Sequence, residues 1–428
     1  MQLKYFVLGA SVLFAQAYPC AAQTAAQISS ERTVHQAVPM AGAPLTLDQA
    51  IAKAMAANPS LRAAALEVAA TGGLRRQSAL FPNPEISFVR EGTERGTRTQ
   101  TVQLSQVLEL GGKRAARIRL ADSEQQLAAG SLDAAKLELR GDVTIAFFDA
   151  LAAQERVRLA QASLDVANKA AGAAIKRVAA GRVSPVDQDR AGVAQASSRI
   201  EVAQAQATAQ VALYKLAAYW GETSPPSHAL FMPELDLTPP PPLTELRRRL
   251  TQTPRLQRAR LQVEREQAQV GLNRAERIPD VTLIVGSKKD DQIGGSQAVV
   301  GLSVPLPLFN RNQGNLQASL ARADKAQAEF DAERLRLHQE LTDAHQRAQL
   351  TSTQVRSMRE DILPAAQRVF ESTVTGFEAG KFNFLDVLDA QRTLLQIRTQ
   401  YIQALYERYR AVADLGRFAA APDNRTTK

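Results

Sequence analysis

The sequence predicts a mainly α-helical protein with a small β part, built on long antiparallel coiled-coil helices. Three observations carry this. Motifs recur in tandem: Pro59-Ser60-Leu61 returns as Pro254-Arg255-Leu256, and Pro84-Glu85-Ile86-Ser87-Phe88 as Pro279-Asp280-Val281-Thr282-Leu283, both 195 residues on. Gly181-Arg182-Val183-Ser184-Pro185-Val186-Asp187 returns 199 residues on as Gly380-Lys381-Phe382-Asn383-Phe384-Leu385-Asp386. Aromatic residues are only 5% of a chain rich in Ala, Gln, Leu and Arg, which suits close helix packing better than a bulky core. Between Lys113 and Ala180 there is no proline, enough for one helix of about 100 Å.

Residues 1–22 read as an export signal. Lys4 supplies the positive start, Tyr5 to Ala17 the apolar stretch, and Cys20-Ala21-Ala22 the small residues before cleavage. A buried N-terminal helix is the plainer alternative. Cys20 also suggests a lipidated N-terminus, though Tyr18 and Pro19 suit that processing poorly. Residues 23–44 form an irregular arm. The first repeat spans 45–222: a helix over 47–80, a hairpin over 84–107, a long helix over 113–180 and a helix over 187–219. A connector at 223–242 holds seven of the 20 prolines and extends without a core of its own. The second repeat spans 243–418: a helix to Arg277, a hairpin over 279–305 with a loop at 288–296, a long helix over 312–379 and a helix over 386–418. Residues 419–428 are a tail.

The second long helix carries Leu316, Ala323, Phe330, Leu337 and Ala344 at a spacing of seven, with Leu320, Leu341 and Ala348 beside them. Gln327 and Arg334 interrupt this coiled-coil seam. So long a helix with so narrow a seam needs neighbours along its length, and two shorter helices end to end match it. Pro364 falls in the second long helix only, since Asp165 stands at the matching place in the first. It predicts a kink and an asymmetry between the repeats, where a belt wraps the shaft.

The strands alternate. Val102 and Leu104 oppose Thr101, Gln103 and Ser105; Val300, Leu302 and Val304 oppose Val299, Gly301 and Ser303. Val281, Leu283 and Val285 form a third apolar face, and Ile86 with Phe88 a fourth. Two readings fit: a membrane barrel with a wet interior, or a sheet packed on a soluble core. No run of 18 apolar residues follows the signal, so a membrane crossing requires a closed barrel. Four strands cannot close one, and copies of the chain must then pool them.

One cysteine excludes an internal disulfide, and four histidines make a Cys/His metal centre a poor fit. His338 and His345, seven apart, are too distant to share a metal without a third element and read as helix-surface residues. The +9 formal charge is spread along helix faces, which favours a solvated exterior over nucleic-acid binding. Gly111-Gly112-Lys113 lacks the spacing of a phosphate loop. No nucleophile set is present, so no catalytic residue, cofactor or metal ligand is assigned.

Leu108-Glu109-Leu110-Gly111-Gly112-Lys113-Arg114, Val304-Pro305-Leu306-Pro307-Leu308-Phe309-Asn310-Arg311-Asn312-Gln313-Gly314 and Phe384-Leu385-Asp386-Val387-Leu388-Asp389-Ala390-Gln391 resemble segments of the TolC-like outer-membrane efflux family. The first two point to its CzcC-type heavy-metal branch. The resemblance covers about Leu45 to Phe418. It implies a homotrimer whose twelve strands form one barrel in outer-membrane lipid, continued by a helical tunnel through the periplasm. It further implies two partners, a periplasmic adaptor protein and an inner-membrane resistance-nodulation-division transporter. The chain itself would be no enzyme. A duct for drugs or secreted polypeptides is an alternative within the family, and a secreted trimeric coiled-coil scaffold without a pore is one outside it.

The two helix-to-helix turns would form the periplasmic tip. Ser184 with Asp187, and Asn383 with Asp386, read as helix caps, with Pro185 at the first helical position. Gly181 and Gly380 suit the ends of the preceding helices. The resemblance assigns adaptor docking to Gly181, Arg182, Val183, Ser184 and Pro185 and to Gly380, Lys381, Phe382, Asn383 and Phe384. Asp187, Asp189, Asp386 and Asp389 are candidate gate charges, pairing with Arg182, Arg190, Lys381 or Arg392 on neighbouring helices. Ordinary surface charge is the competing reading.

Overall fold

The computed structural model describes residues 44–92, 94, 96–181, 184–224, 229–232, 238–379, 381, 382 and 384–419. The expected signal with Cys20, the arm through residue 43 and the tail from residue 420 lie outside the described residues.

Each repeat opens on two helices where the sequence reading placed one. Helix α1 (Leu47–Ala57) gives way to α2 (Pro59–Ser78) at Asn58, and α5 (Leu243–Arg249) with a 3₁₀ turn (Leu250–Gln252) gives way to α6 (Pro254–Ala275) at Thr253. The repeated prolines cause both breaks. Proline pushes the residue before it into extended backbone, and Asn58 has ψ 121° and Thr253 ψ 136°. Asn58 then caps α2, its Oδ1 accepting from Leu61 N at 3.0 Å.

Strands β1 (Glu85–Glu91) and β2 (Thr99–Leu108) precede α3 (Lys113–Ala179) and α4 (Pro185–Ala218). In the second repeat β3 (Val281–Asp290) and β4 (Gly295–Ser303) precede α7 (Gln313–Ser357), α8 (Leu363–Glu378) and α9 (Phe384–Ala419). The loop expected at 288–296 is shorter than that: Lys288, Lys289 and Asp290 pair with Gln297, Ser296 and Gly295. Both repeats feed one antiparallel sheet in the order β1-β2-β3-β4.

The short helices do run end to end. Asn58 Nδ2, at the start of α2, donates to the carbonyl of Tyr219, at the end of α4, at 2.8 Å. Thus α4 and α2 follow one another along α3, which packs against both and also against α6 and α9. The densest core lies at that joint. Phe147, Leu151 and Val143 of α3 meet Leu216 of α4 and Ala50 and Ala54 of α1, all at or below 2% exposure. Phe148 stacks on Tyr409 of α9 at 4.0 Å. A second core joins Leu246 of α5 to Leu337 and Leu341 of α7 and Leu415 of α9. The connector closes over the first core: Leu230 pairs with Leu45 in a parallel bridge and is buried.

The seam of α7 departs from the heptad reading. Leu337, Leu341, Ala344 and Ala348 are buried as expected, but Leu320 is exposed, and Ser319 and Ala326 are buried instead. Small residues let α6 approach α7 closely there. His345 is a further correction: it is buried, not a surface residue, because the connector covers it and Pro241 O lies 3.1 Å from its Nε2.

Pro364 makes a π-helical turn at Met358–Ile362, with Leu363 N bonded to Met358 O. The wider turn accommodates the proline's missing N–H without ending the rod. Helix α3 runs unbroken, so the expected asymmetry is present. The belt is elsewhere. The helices that would wrap the shaft, α1 and α5, pack on Leu139–Ala152 and on Leu337–Ala348.

Candidate functional site

The sheet turns its apolar side outward. Register aligns Ile86, Leu104, Val285 and Val300 in one row across all four strands, and Phe88, Val102, Ser287 and Ala298 in the next. Leu283 pairs with Leu302, and Leu108 with Val281. Ile86 is 75% exposed and Val300 77%. The opposite face is mixed: Thr101, Gln103, Ser105, Thr282 and Gly286 lie on it with Val107, Ile284 and Val299, all partly covered. A sheet on a soluble core shows the reverse, with apolar residues covered and polar ones bare. No described element packs on the apolar rows, so the reading of a soluble core fails. Gln106 interrupts the apolar face, and its Nε2 is tied to the carbonyls of Pro82 and Val107 at 3.0 Å. Strands β1 and β4 are the sheet's two edges.

Below the sheet, charged side chains lock the ribbon to the shaft. Glu109 pairs with Arg117, which also donates to the carbonyls of Ser78 and Leu80 at the end of α2. Arg114 Nε donates to Ala79 O at 2.8 Å. The two guanidinium groups thereby satisfy carbonyls that the helix end leaves open. Lys113 meets Asp280 at 2.7 Å, and Asp280 accepts from Leu110 N at 3.1 Å. The Glu109–Arg114 segment, read above as a family resemblance, is thus the joint between β2, α3 and the second repeat. Sequence reasoning missed this role, although the cluster of charges after a strand was its signal.

Two ion pairs join α3 to α9. Asp149 meets Arg410 at 2.5 Å and Asp142 meets Arg417 at 2.7 Å. The partners are seven residues apart on both helices and run in opposite order, as an antiparallel coiled coil requires. Arg417 crosses α3 at Gly141, where a side chain would collide with its guanidinium.

At the far end of the helices, Gly181 has φ 68° and closes α3. Ser184 caps α4, its Oγ accepting from Val186 N at 3.3 Å, and Pro185 opens the helix. Lys381 N donates to Gly376 O at 2.8 Å, closing α8. Phe382 folds back over Gly376, where a Cβ would collide with its ring, and is 49% exposed. Arg182, Val183, Gly380 and Asn383 lie outside the described residues; Phe384 begins α9. Arg177, in the last turn of α3, stands 4.0 Å from the Phe377 ring at the end of α8, so the two turns lie together. Asp187 pairs with Arg190 at 3.7 Å on its own helix, not across helices. Asp189, Asp386 and Asp389 are exposed, and Asp386 has an interaction of its own. Helices α8 and α9 also flank an apolar cavity of about 470 Å³ beside the π turn, lined by Ile362, Ala366, Val369, Ala390 and Ile397.

An outward-apolar ribbon of four strands, carried on paired helices too long for a compact domain, is one stave of a membrane-spanning tube. The fold is that of an outer-membrane channel. The sequence profile described as "Outer membrane efflux protein" matches residues 50–222 and again 246–420, once for each repeat. The chain is 42% identical, over 88% of its length and 90% of the relative's, to the cobalt-zinc-cadmium resistance protein CzcC of Cupriavidus metallidurans. It is 28% identical, over 66% of its length and 65% of the relative's, to the nickel-cobalt-cadmium resistance protein NccC of Alcaligenes xylosoxydans xylosoxydans. Its fold matches a membrane protein from Pseudomonas aeruginosa with TM-score 0.77 at 21% identity, covering 89% of this chain and 92% of that one. It matches CusC with TM-score 0.73 at 20% identity, covering 86% and 90%. The chain belongs to the outer membrane efflux protein family.

Proposed function

We propose that this chain is the exit duct of a tripartite pump that exports divalent heavy-metal cations of the cobalt, zinc and cadmium type. The likeness to the cobalt-zinc-cadmium resistance protein, at 42% identity across nearly all of both chains, carries the choice of cargo. The duct needs partners. A periplasmic adaptor and an inner-membrane resistance-nodulation-division transporter would load it, and the chain would supply the passage.

Assembly as a homotrimer is the family's arrangement, and the sheet supports assembly of some kind. Four strands with two bare edges fall short of the eight or so that close the smallest barrels, and three copies supply twelve. Exposed apolar stripes support side-by-side packing lower down. Val186, Val193 and Ile200 stand seven apart on α4, all more than half exposed, and the α8–α9 cavity is an apolar groove of matching character. Gly181, Ser184, Pro185, Lys381 and Phe382 remain the surface offered to the adaptor, with the half-bare Phe382 ring as its apolar anchor. Asp187, Asp189, Asp386 and Asp389, in the opening turns of α4 and α9, are the gate charges of this reading, turned toward neighbouring copies in the trimer.

Deletion of the gene in its host, plated across metals and antibiotics, tests the cargo. Loss of zinc, cobalt or cadmium tolerance with antibiotic tolerance kept is expected. The opposite pattern would assign the duct to drugs.

A further inference from the structure

At the end away from the helices, the last outward row of the sheet carries two cations and no carboxylate. Arg90-Glu91 on β1 and Lys289-Asp290 on β3 are the same cation–carboxylate pair, repeated 199 residues apart. Register sets Arg90 opposite Gln100, Gln100 opposite Lys289, and Lys289 opposite Ser296. This row lies two residues beyond the Phe88–Val102–Ser287–Ala298 row, and side chains two apart share a face. Arg90 and Lys289 therefore stand on the outward apolar face, and both are exposed. Glu91, Thr99 and Asp290 form the next row, on the opposite face. The pleat sends the cations Arg90 and Lys289 outward, and Glu91, Asp290 and a third cation, Lys288, inward. Arg98 and Asp291 follow toward the turns, with Asp291 N bonded to Arg98 O at 3.0 Å.

The height of the row matters. Leu108 marks the helix-side end of the apolar rows and Gln100 the cation row, a run of about 27 Å along the strand. At the usual tilt of barrel strands this spans about 20 Å of bilayer, close to the apolar band of an outer-membrane barrel. The cations thus sit where hydrocarbon gives way to headgroups. Cations at this depth are not stranded in hydrocarbon, and they face outward, away from Glu91 and Asp290. Arginine pairs well with phosphate through its paired N–H donors, and lysine serves as a point charge.

We infer that Arg90 and Lys289 form a lipid-facing row that binds the phosphate groups of outer-leaflet lipid headgroups, one row per protomer. The inference rests on the membrane placement of the sheet. The assembled protein, reconstituted in phosphatidylcholine vesicles doped with either diphosphoryl lipid A or its dephosphorylated form, provides the test. The readout is the temperature at which the oligomer dissociates. Phosphorylated lipid should raise it by about 5 °C over the dephosphorylated form, because a ligand held only by the assembled state shifts that equilibrium. The double variant Arg90→Gln/Lys289→Gln should show no difference, and Arg90→Lys/Lys289→Arg should restore it. Equal temperatures for the wild-type protein in both vesicles, or a full shift kept by the Gln variant, would overturn the inference. So would a full shift produced by inorganic phosphate in vesicles without lipid A. Failure of the wild-type protein to enter either vesicle would instead sink the membrane placement and this row with it.

Discussion

Two residues in the shaft make different predictions for the same kind of change. Alanine in place of a helical glycine ordinarily gains up to about 1 kcal/mol. Gly172 of α3 has open space around it, so Gly172→Ala should show that gain. Gly141 lies under Arg417, and Gly141→Ala should displace the guanidinium from Asp142; losing that partly solvated pair, worth up to about 1 kcal/mol, cancels the helical gain and leaves stability near the wild-type value. Thermal unfolding of the two variants side by side checks both. Tyr406 offers a pH test. Its hydroxyl is buried without a hydrogen-bond partner among the described residues. Burial first, and the Glu155 carboxylate second, hold its phenol above the ordinary tyrosine range. A raised folded-state pKa means that the unfolded chain ionises first, so this contribution is complete below about pH 10 and is lost as pH rises above it. Tyr406→Phe should leave stability at pH 7 unchanged or slightly higher and flatten the loss above pH 10. An unchanged alkaline slope would show that Tyr406 is not its source.

The sheet gives the sharpest element-scale contrast. Leu104 and Gln103 are neighbours in sequence on opposite faces. Leu104→Lys should cost about 2–4 kcal/mol, the range for a lysine in the middle of a barrel's lipid face, and Gln103→Lys should be tolerated. Heat-resistant oligomer recovered from membranes reads the difference, and equal effects would place both faces in one environment. Gly286→Val should abolish recovery, since a side chain there meets the Val102 carbonyl and breaks the β2–β3 pairing. Much of this element was legible in the sequence, because alternation depends on a two-residue period that any reader of Val102 to Ser105 can follow. The direction of the faces was not, since alternation looks the same whether the apolar side meets lipid or a core. Likewise the prolines at 59 and 254 were visible as repeats, but their effect of splitting each opening helix needed the backbone. His345 looked like a surface residue because nothing in its own helix foretells that the connector lies over it.

At the scale of the whole molecule, duplication explains the economy of the design. Each repeat contributes one hairpin and one set of paired helices, and the ladder of Asp142–Arg417 and Asp149–Arg410 binds the first repeat's long helix to the second repeat's last one. The tip was least legible. Ser184 was readable as a cap from its place before Pro185, but Asp187 turned to Arg190 on its own helix, where an intrahelical partner is within reach, and Asn383 lies outside the described residues. The sheet still has two open edges, and the apolar stripe on α4 still lacks a neighbour. The most direct test is the native mass of the detergent-extracted oligomer. Three chains per particle is the predicted result; a particle of one chain would leave the strands unclosed and contradict the duct.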